Sequence, residues 1–221
     1  VIGSMFYVMA HVEGRILWDP TLPGMTPAER GAHYNEMNRV ITTLHRLDPT
    51  TVGLADHGRP GAYLERQVAR WTRQYKAAET ESIAAADRLM EWLPRHMPAE
   101  GESRIVHGDY RLDNVIFHHT EPRIVAVLDW ELSTLGDPLV DFAYHCMTWR
   151  MTAGRSRGLG DANLTALGIP SEADYRGQYM RHTGRSTPVP EAEWTYYLVF
   201  NMFRLVGILQ GIAKRAEQGN A

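Results

Sequence analysis

The chain has 221 residues, 44% hydrophobic and 22% charged, with a formal net charge of −3. That is enough for one large domain or two small ones of ordinary soluble composition, and the mild negative balance excludes the electrostatic pull toward nucleic acid or anionic membrane that a basic chain exerts. The single cysteine, Cys146, excludes an internal disulfide and fits a reducing compartment.

The opening run Phe6-Tyr7-Val8-Met9 predicts a strand by β-propensity. The first residues carry neither a basic start nor a small-residue cleavage site, so a cytoplasmic chain without a secretory leader is expected. Gly14 and a Pro/Gly-rich connector lead to Thr26-Pro27-Ala28-Glu29, a capping box with proline at the first helical position. Tyr34, Met37, Ile41 and Leu44 then recur at helical spacing. A second helix is predicted over 62–77, with Leu64, Val68, Trp71 and Tyr75 on one face and Arg66, Arg70 and Arg73 on the opposite one. A third carries Ile83, Ala86, Met90 and Leu93 and stops at Pro94.

The pattern then turns to short β-type runs: Arg104-Ile105-Val106, Val115-Ile116-Phe117 and, as a strand of buried type, Ile124 to Leu128. Helical patterning resumes after Asp137-Pro138. The Gly- and Arg-rich stretch 152–163 predicts a mobile loop, and two further helices are expected from about Ser171 and about Pro190. The stretch Tyr196 to Ala213 is long and apolar, but Asn201, Arg204 and Gln210 within it predict a core helix and not a membrane span. The expectation is an α+β fold, mostly helical, with a small central β insert.

Chemistry concentrates in His107-Gly108-Asp109-Tyr110-Arg111-Leu112-Asp113-Asn114, followed by Leu128-Asp129-Trp130-Glu131. An Asp and an Asn five residues apart lie between two short strands, and a second Asp ends another strand fifteen residues past the Asn. Phosphoryl transfer calls for such parts. One carboxylate must orient an acceptor hydroxyl and take its proton, while carboxylate and amide oxygens hold Mg²⁺ against a triphosphate.

These residues resemble the aminoglycoside phosphotransferase and choline kinase superfamily, whose signature is H-G-D-x-x-x-x-N followed by D-W-E or a similar triplet. Gly136-Asp137-Pro138-Leu139-Val140-Asp141 is similar to its G-D-P-x-x-D segment and Leu44-His45 to its helix-borne L-H pair. Gly14 to Pro20 and the stretch 130–149 resemble, more narrowly, the kinase-like domains fused to or encoded near acyl-CoA dehydrogenases. The resemblance implies a protein-kinase-like fold, with 1–14 as the last N-lobe strand and hinge and 15–221 as the helical C-lobe. It implies ATP and Mg²⁺ as cofactors and a small-molecule hydroxyl as acceptor, possibilities including a hydroxyacyl-CoA. By the same resemblance Asp109 is the catalytic base, His107 braces its loop, and Asn114, Asp129 and Glu131 face the metal. Backbone groups of Ala10, His11 and Val12 would meet adenine, and Asp137 and Asp141 would support the site. The family's N-lobe also supplies a sheet, a phosphate-covering loop and a strand-borne lysine. Here the only lysines are Lys76 and Lys214, both on predicted helices, so a largely absent N-lobe and weak activity of this chain alone are expected.

Plainer readings stand beside these. Asp137 before proline is an N-cap, Asp141 a structural hydrogen-bond acceptor and Asp113 a turn residue. Arg66, Arg70 and Arg73 read first as a solvated helix face; the sharper reading, extended to Arg111, is an anchor for substrate phosphates. Arg204 lies among apolar residues and should find an acidic partner or line a pocket. Ten histidines invite a metal-dependent hydrolase, but no H-E-x-x-H or Cys/His spacing is present, and His118 and His119 read as surface. Aminoglycosides, as polycations, call for an acidic pocket that this composition does not suggest. A non-catalytic kinase-like binding module is the remaining alternative.

Overall fold

Thr26 starts the helical framework. In the computed structural model, which describes residues 8–59, 61–154 and 157–219, its hydroxyl accepts from the Glu29 amide while the Glu29 carboxylate accepts from the Thr26 amide at 2.7 Å. This reciprocal cap, with Pro27 at the first position, sets off α1 (Pro27–Arg46). Tyr34, Met37 and Ile41 are buried as expected, and Leu44 is half-buried. The buried polar residues of α1 have partners elsewhere: Asn38 donates to the Tyr175 carbonyl at 3.0 Å, and His45 is engaged at both ring nitrogens.

Of the opening strand predicted over 6–9, Phe6 and Tyr7 lie outside the described residues. Val8 and Met9 are exposed and carry no regular structure. The backbone of Arg15 bridges Phe117 in both directions, at 2.7 and 2.9 Å.

α2 (Tyr63–Ala78) buries Leu64, Val68, Trp71 and Tyr75, and α3 (Ala84–Arg95) buries Ala86 and Leu93. Pro94 does not stop α3. It sits in the final turn, and the helix closes one residue later.

The β insert consists of two antiparallel pairs. β1 (Arg104–Val106) runs beside β4 (Thr134–Gly136), with Val106 opposite Thr134; β2 (Val115–Phe117) runs beside β3 (Ile124–Val127), with Val115 opposite Val127 and a bulge at Ile116 and Phe117. Two corrections apply. β3 is half-exposed along its length and not of buried type, and β4 has no counterpart in the sequence reading.

Asp137 caps α4 (Pro138–Cys146) by accepting from the Leu139 amide at 2.8 Å, and every residue of α4 is buried. A single turn, α5 (Leu164–Leu167), capped by Asn163, follows the Gly/Arg-rich segment. α6 (Glu172–Thr183) and α7 (Glu191–Glu217) start where expected, after Ser171 and Pro190. By length and composition α7 could cross a membrane, but it packs against α2, α3 and α4 and buries Asn201, Arg204 and Gln210. Asn201 donates to the Val140 carbonyl at 2.9 Å, which ties the long helix to the shortest buried one.

Aromatic rings knit α1, α4 and α6. Phe142 stacks on Tyr179 at 3.8 Å, and Trp149 on Tyr175 at 4.8 Å. His145 is enclosed among Tyr110, Tyr175 and Trp149, with Nε2 2.9 Å from the Tyr175 hydroxyl. Burial lowers its pKa to about 4, against a weaker opposing pull from Asp141, so the imidazole is neutral and accepts from Tyr175. The unfolded chain therefore binds the extra proton first as pH falls. Stability should be full above about pH 6.5 and decline by up to about 1.4 kcal/mol per pH unit toward pH 4. Urea unfolding across that range measures the decline, and His145→Gln should flatten it.

Candidate active site

The loop from His107 to Asn114 leaves β1 and enters β2, while Leu128 to Ser133 leaves β3 and enters β4. The two strand pairs thus lay the segments carrying Asp109 and Asp129 side by side. Three bonds lock them together. His107 Nε2 donates to the Leu128 carbonyl at 2.8 Å, the Leu128 amide to the Asn114 carbonyl at 2.8 Å, and the Ser133 hydroxyl to the Val106 carbonyl at 2.8 Å. With Nε2 donating, His107 Nδ1 accepts from the Asp109 amide at 3.1 Å, so one imidazole braces both segments.

Gly108 takes φ +84°, and a Cβ there would sit 2.7 Å from the Leu132 carbonyl oxygen. Only glycine lets the loop pass so close to the second segment. Its amide donates to Asp141 Oδ1 at 2.9 Å, the His107 amide donates to Asp141 Oδ2 at 2.7 Å, and His45 Nε2 lies 3.1 Å from the same oxygen. Burial would raise the Asp141 pKa, but the His45 hydrogen bond and charge and the loop amide outweigh it, and the carboxyl is held below its ordinary value. Asp141 is thus the structural acceptor expected, and the Leu44-His45 pair reaches the site through it.

Asp109 keeps 18% of its side chain exposed. Asn114 Nδ2 donates to both the Asp109 carbonyl and Oδ2 at 2.9 Å, which commits the amide nitrogen and leaves the amide oxygen available as an acceptor. Arg111 lies 3.5 Å from Asp109 and 3.0 Å from Asp113, and Arg157 reaches Asp113 at 3.3 Å. Asp113 is therefore a turn residue that also ties two arginines. Asp129 stands in the left-handed region at φ +63°, exposed, and makes no hydrogen bond or ion pair among the described residues. Glu131 is exposed in the turn after it. No group of three acidic, histidine or cysteine side chains forms a ready metal cage among the described residues. A carboxylate and an amide oxygen are nonetheless the sparse donor set that suits Mg²⁺, which keeps waters and substrate phosphates as further ligands.

Beside Asp109 opens a cleft of about 480 Å³, walled by Trp18, Met37, Tyr144, Met147, Met151 and Leu205, with Arg111 and Arg157 the cationic residues lining it. Of the arginines singled out in the sequence, only Arg111 lines it; Arg66 is half-exposed and donates to the Arg59 carbonyl, and Arg70 and Arg73 are exposed on α2. Ala10, His11 and Val12 lie on the exposed approach to Gly14 and do not line the cleft.

Two residues were not assigned to the site from the sequence, although one of them, Arg204, was expected to meet an acid or line a pocket. The Tyr144 hydroxyl faces the Asp109 carboxylate, and burial together with that charge raises its pKa well above the ordinary tyrosine value. It is one turn beyond Asp141, and helical phase alone could have pointed to it. Arg204 is the other. No acidic partner meets it among the described residues. Its guanidinium donates to the Gly108 carbonyl at 2.6 Å and lies over the rings of Tyr144 and Trp71, at 4.6 and 5.3 Å.

A helical lobe built around a short β insert, with one carboxylate on the loop and another closing the neighbouring strand pair, defines the helical half of a protein-kinase-like fold. The chain belongs to the phosphotransferase enzyme family (APH), whose family model matches residues 1–186. A crystal structure from Ralstonia eutropha JMP134, provisionally assigned as an aminoglycoside phosphotransferase, is 57% identical, with a TM-score of 0.91 over 96% of this chain and 64% of that one. The type VIII aminoglycoside-3′-phosphotransferase shares the fold at 19% identity, with a TM-score of 0.60 over 86% of this chain and 66% of that one. Among curated proteins, mouse acyl-CoA dehydrogenase family member 10 is 44% identical and human member 11 is 41% identical, each over 100% of this chain. The chain spans only 21% and 28% of their respective lengths.

Glycine 108 gives a direct test of the loop geometry. Gly108→Ala adds a backbone clash to the left-handed strain, whereas Gly24→Ala, at φ +83° with nothing within 4 Å, adds strain alone. Gly24→Ala should cost about 1–2 kcal/mol and Gly108→Ala clearly more; equal shifts in urea midpoint would contradict the close approach.

Proposed function

We propose that the protein transfers the γ-phosphoryl group of ATP, with Mg²⁺, to a hydroxyl of a small molecule. The observation that carries this reading is the Asp109 carboxylate, partly exposed, clamped by Asn114 and set beside an open cleft. In this reading Asp109 orients the acceptor hydroxyl and takes its proton as the new bond forms. The Asn114 amide oxygen and the uncommitted Asp129 carboxylate would hold Mg²⁺, with Glu131 near enough in sequence to orient the metal's waters. The metal, when bound, neutralises charge on the transferring phosphates. The exposed segment Ala10 to Val12 offers backbone groups to adenine. A spectinomycin phosphotransferase of the same fold has been crystallised with AMP, with a TM-score of 0.54 at 14% identity.

The cleft favours an acceptor with an apolar portion that is neutral or anionic near its mouth. Its walls are Met, Leu and Trp, its cations are Arg111 and Arg157, and its carboxylate, Asp113, is already tied to both. A polycationic aminoglycoside finds little there to bind. Together with relatives named as acyl-CoA dehydrogenase family members, this supports a hydroxyacyl-CoA as acceptor. The arginine stripe of α2 has no part in holding it within the cleft.

The test is a panel of hydroxyacyl-CoAs, aminoglycosides and choline incubated with Mg-ATP and the full-length protein. Phosphorylated hydroxyacyl-CoA is expected, and product from the aminoglycosides alone would overturn the acceptor assignment. Asp109→Asn should lower turnover by about 10²–10⁴-fold while nucleotide affinity stays nearly constant. Asp129→Ala should abolish the metal dependence of nucleotide binding, measured by calorimetry with and without Mg²⁺. Unchanged Mg-ATP affinity in that variant would remove Asp129 from the metal site.

A further inference from the structure

On the far side of the His45–Asp141 pair, the ends of α1 and α6 and the start of β1 enclose a second, polar cavity of about 410 Å³. Its lining includes three guanidinium groups, Arg46, Arg104 and Arg185, and one carboxylate, Glu102. Glu102 is 3.0 Å from Arg104 and 4.0 Å from Arg185, the limit of an ion pair. Its side chain is 63% exposed, against 30% for Arg104 and 27% for Arg185, so the cations are drawn further from water than the anion that balances them. Arg46 has no ion pair, and neither its guanidinium nor that of Arg185 donates a hydrogen bond among the described residues.

Two further carboxylates lie nearby, and the charge of one, Asp137, acts on Arg185. Asp137 is buried and accepts from Leu139, and Asp141 is bound to the catalytic loop and to His45. The carbonyl ends of α1 and α6 add about half a negative charge each. Within the lining itself, three guanidiniums stand against the single carboxylate of Glu102. The hydroxyls of Ser186 and Thr187 line the same wall and make no hydrogen bond among the described residues. Planar guanidinium forks beside free hydroxyl donors suit a tetrahedral oxyanion.

We propose that this cavity binds the phosphate group of a small molecule, at a site separate from the cleft beside Asp109. Its volume admits a phosphorylated compound as well as the free ion. The inference stands independently of the kinase reading, because it uses none of the residues assigned to transfer.

The full-length protein in EDTA, which silences metal-dependent nucleotide binding, is titrated by calorimetry with orthophosphate, pyrophosphate and glycerol 3-phosphate. Saturable binding of at least one with Kd below about 1 mM is expected. The double variant Arg46→Gln/Arg185→Gln should weaken it by about ten-fold or more, and Asp129→Asn should leave it unchanged. Preference for orthophosphate would mark the free ion as ligand, and preference for the ester a phosphorylated metabolite. If the double variant misfolds, Arg46→Gln alone, at an exposed position, carries the same test. Absence of saturable binding by all three probes, or undiminished binding in the arginine variants, would overturn the proposal.

Discussion

One buried carboxylate organises the site. Asp141 accepts two successive loop amides, those of His107 and Gly108, and holds His45 on its remaining side. A carboxylate removed from water this completely is tolerable only with its lone pairs filled, and here the donors come from two parts of the fold, the loop and α1. The loop is thereby fixed to α4 and α1 at once. Asp109 follows directly on the clamped residues and inherits their position.

Gly108 is held from both ends, its amide by Asp141 and its carbonyl by Arg204. Opposite charges thus bracket a single residue through its two flanking peptide groups, which explains how a cation on α7 can be buried without a carboxylate in contact. The rings of Tyr144 and Trp71 cover the rest of the guanidinium. Because Tyr144 also faces Asp109, one packed unit links the long C-terminal helix to the His107–Asn114 loop and the cleft beside it. Pairwise substitution here should be non-additive, as in any shared network.

Much of this was legible in the sequence. The capping box of α1, the apolar stripe of α2 and the starts of α4, α6 and α7 are written in local chemistry, and local chemistry decides where helices begin. The Asp109, Asn114 and Asp129 spacing survives folding because short strands on either side bring the segments together. What was not legible depends on contacts distant in sequence. β4 is three residues with a glycine and exists only because β1 lies beside it. Pro94 falls in the last turn, and the helix runs only one residue beyond it. Arg204 could not be paired from sequence, since its partner is a backbone carbonyl and two ring faces nearly a hundred residues or more upstream or on another helix. The arginine stripe of α2, read first as a solvated face, does not line the cleft.

Asp129 carries a consequence for how this domain can decay. A non-glycine residue at φ +63° bears a conformational penalty that asparagine and glycine tolerate better. Drift at this codon toward either residue would relax the backbone while removing the free carboxylate. If Asp129 holds Mg²⁺ as proposed, selection for folding alone would favour well-folded chains that no longer bind the metal, so stability and activity are opposed at this one position.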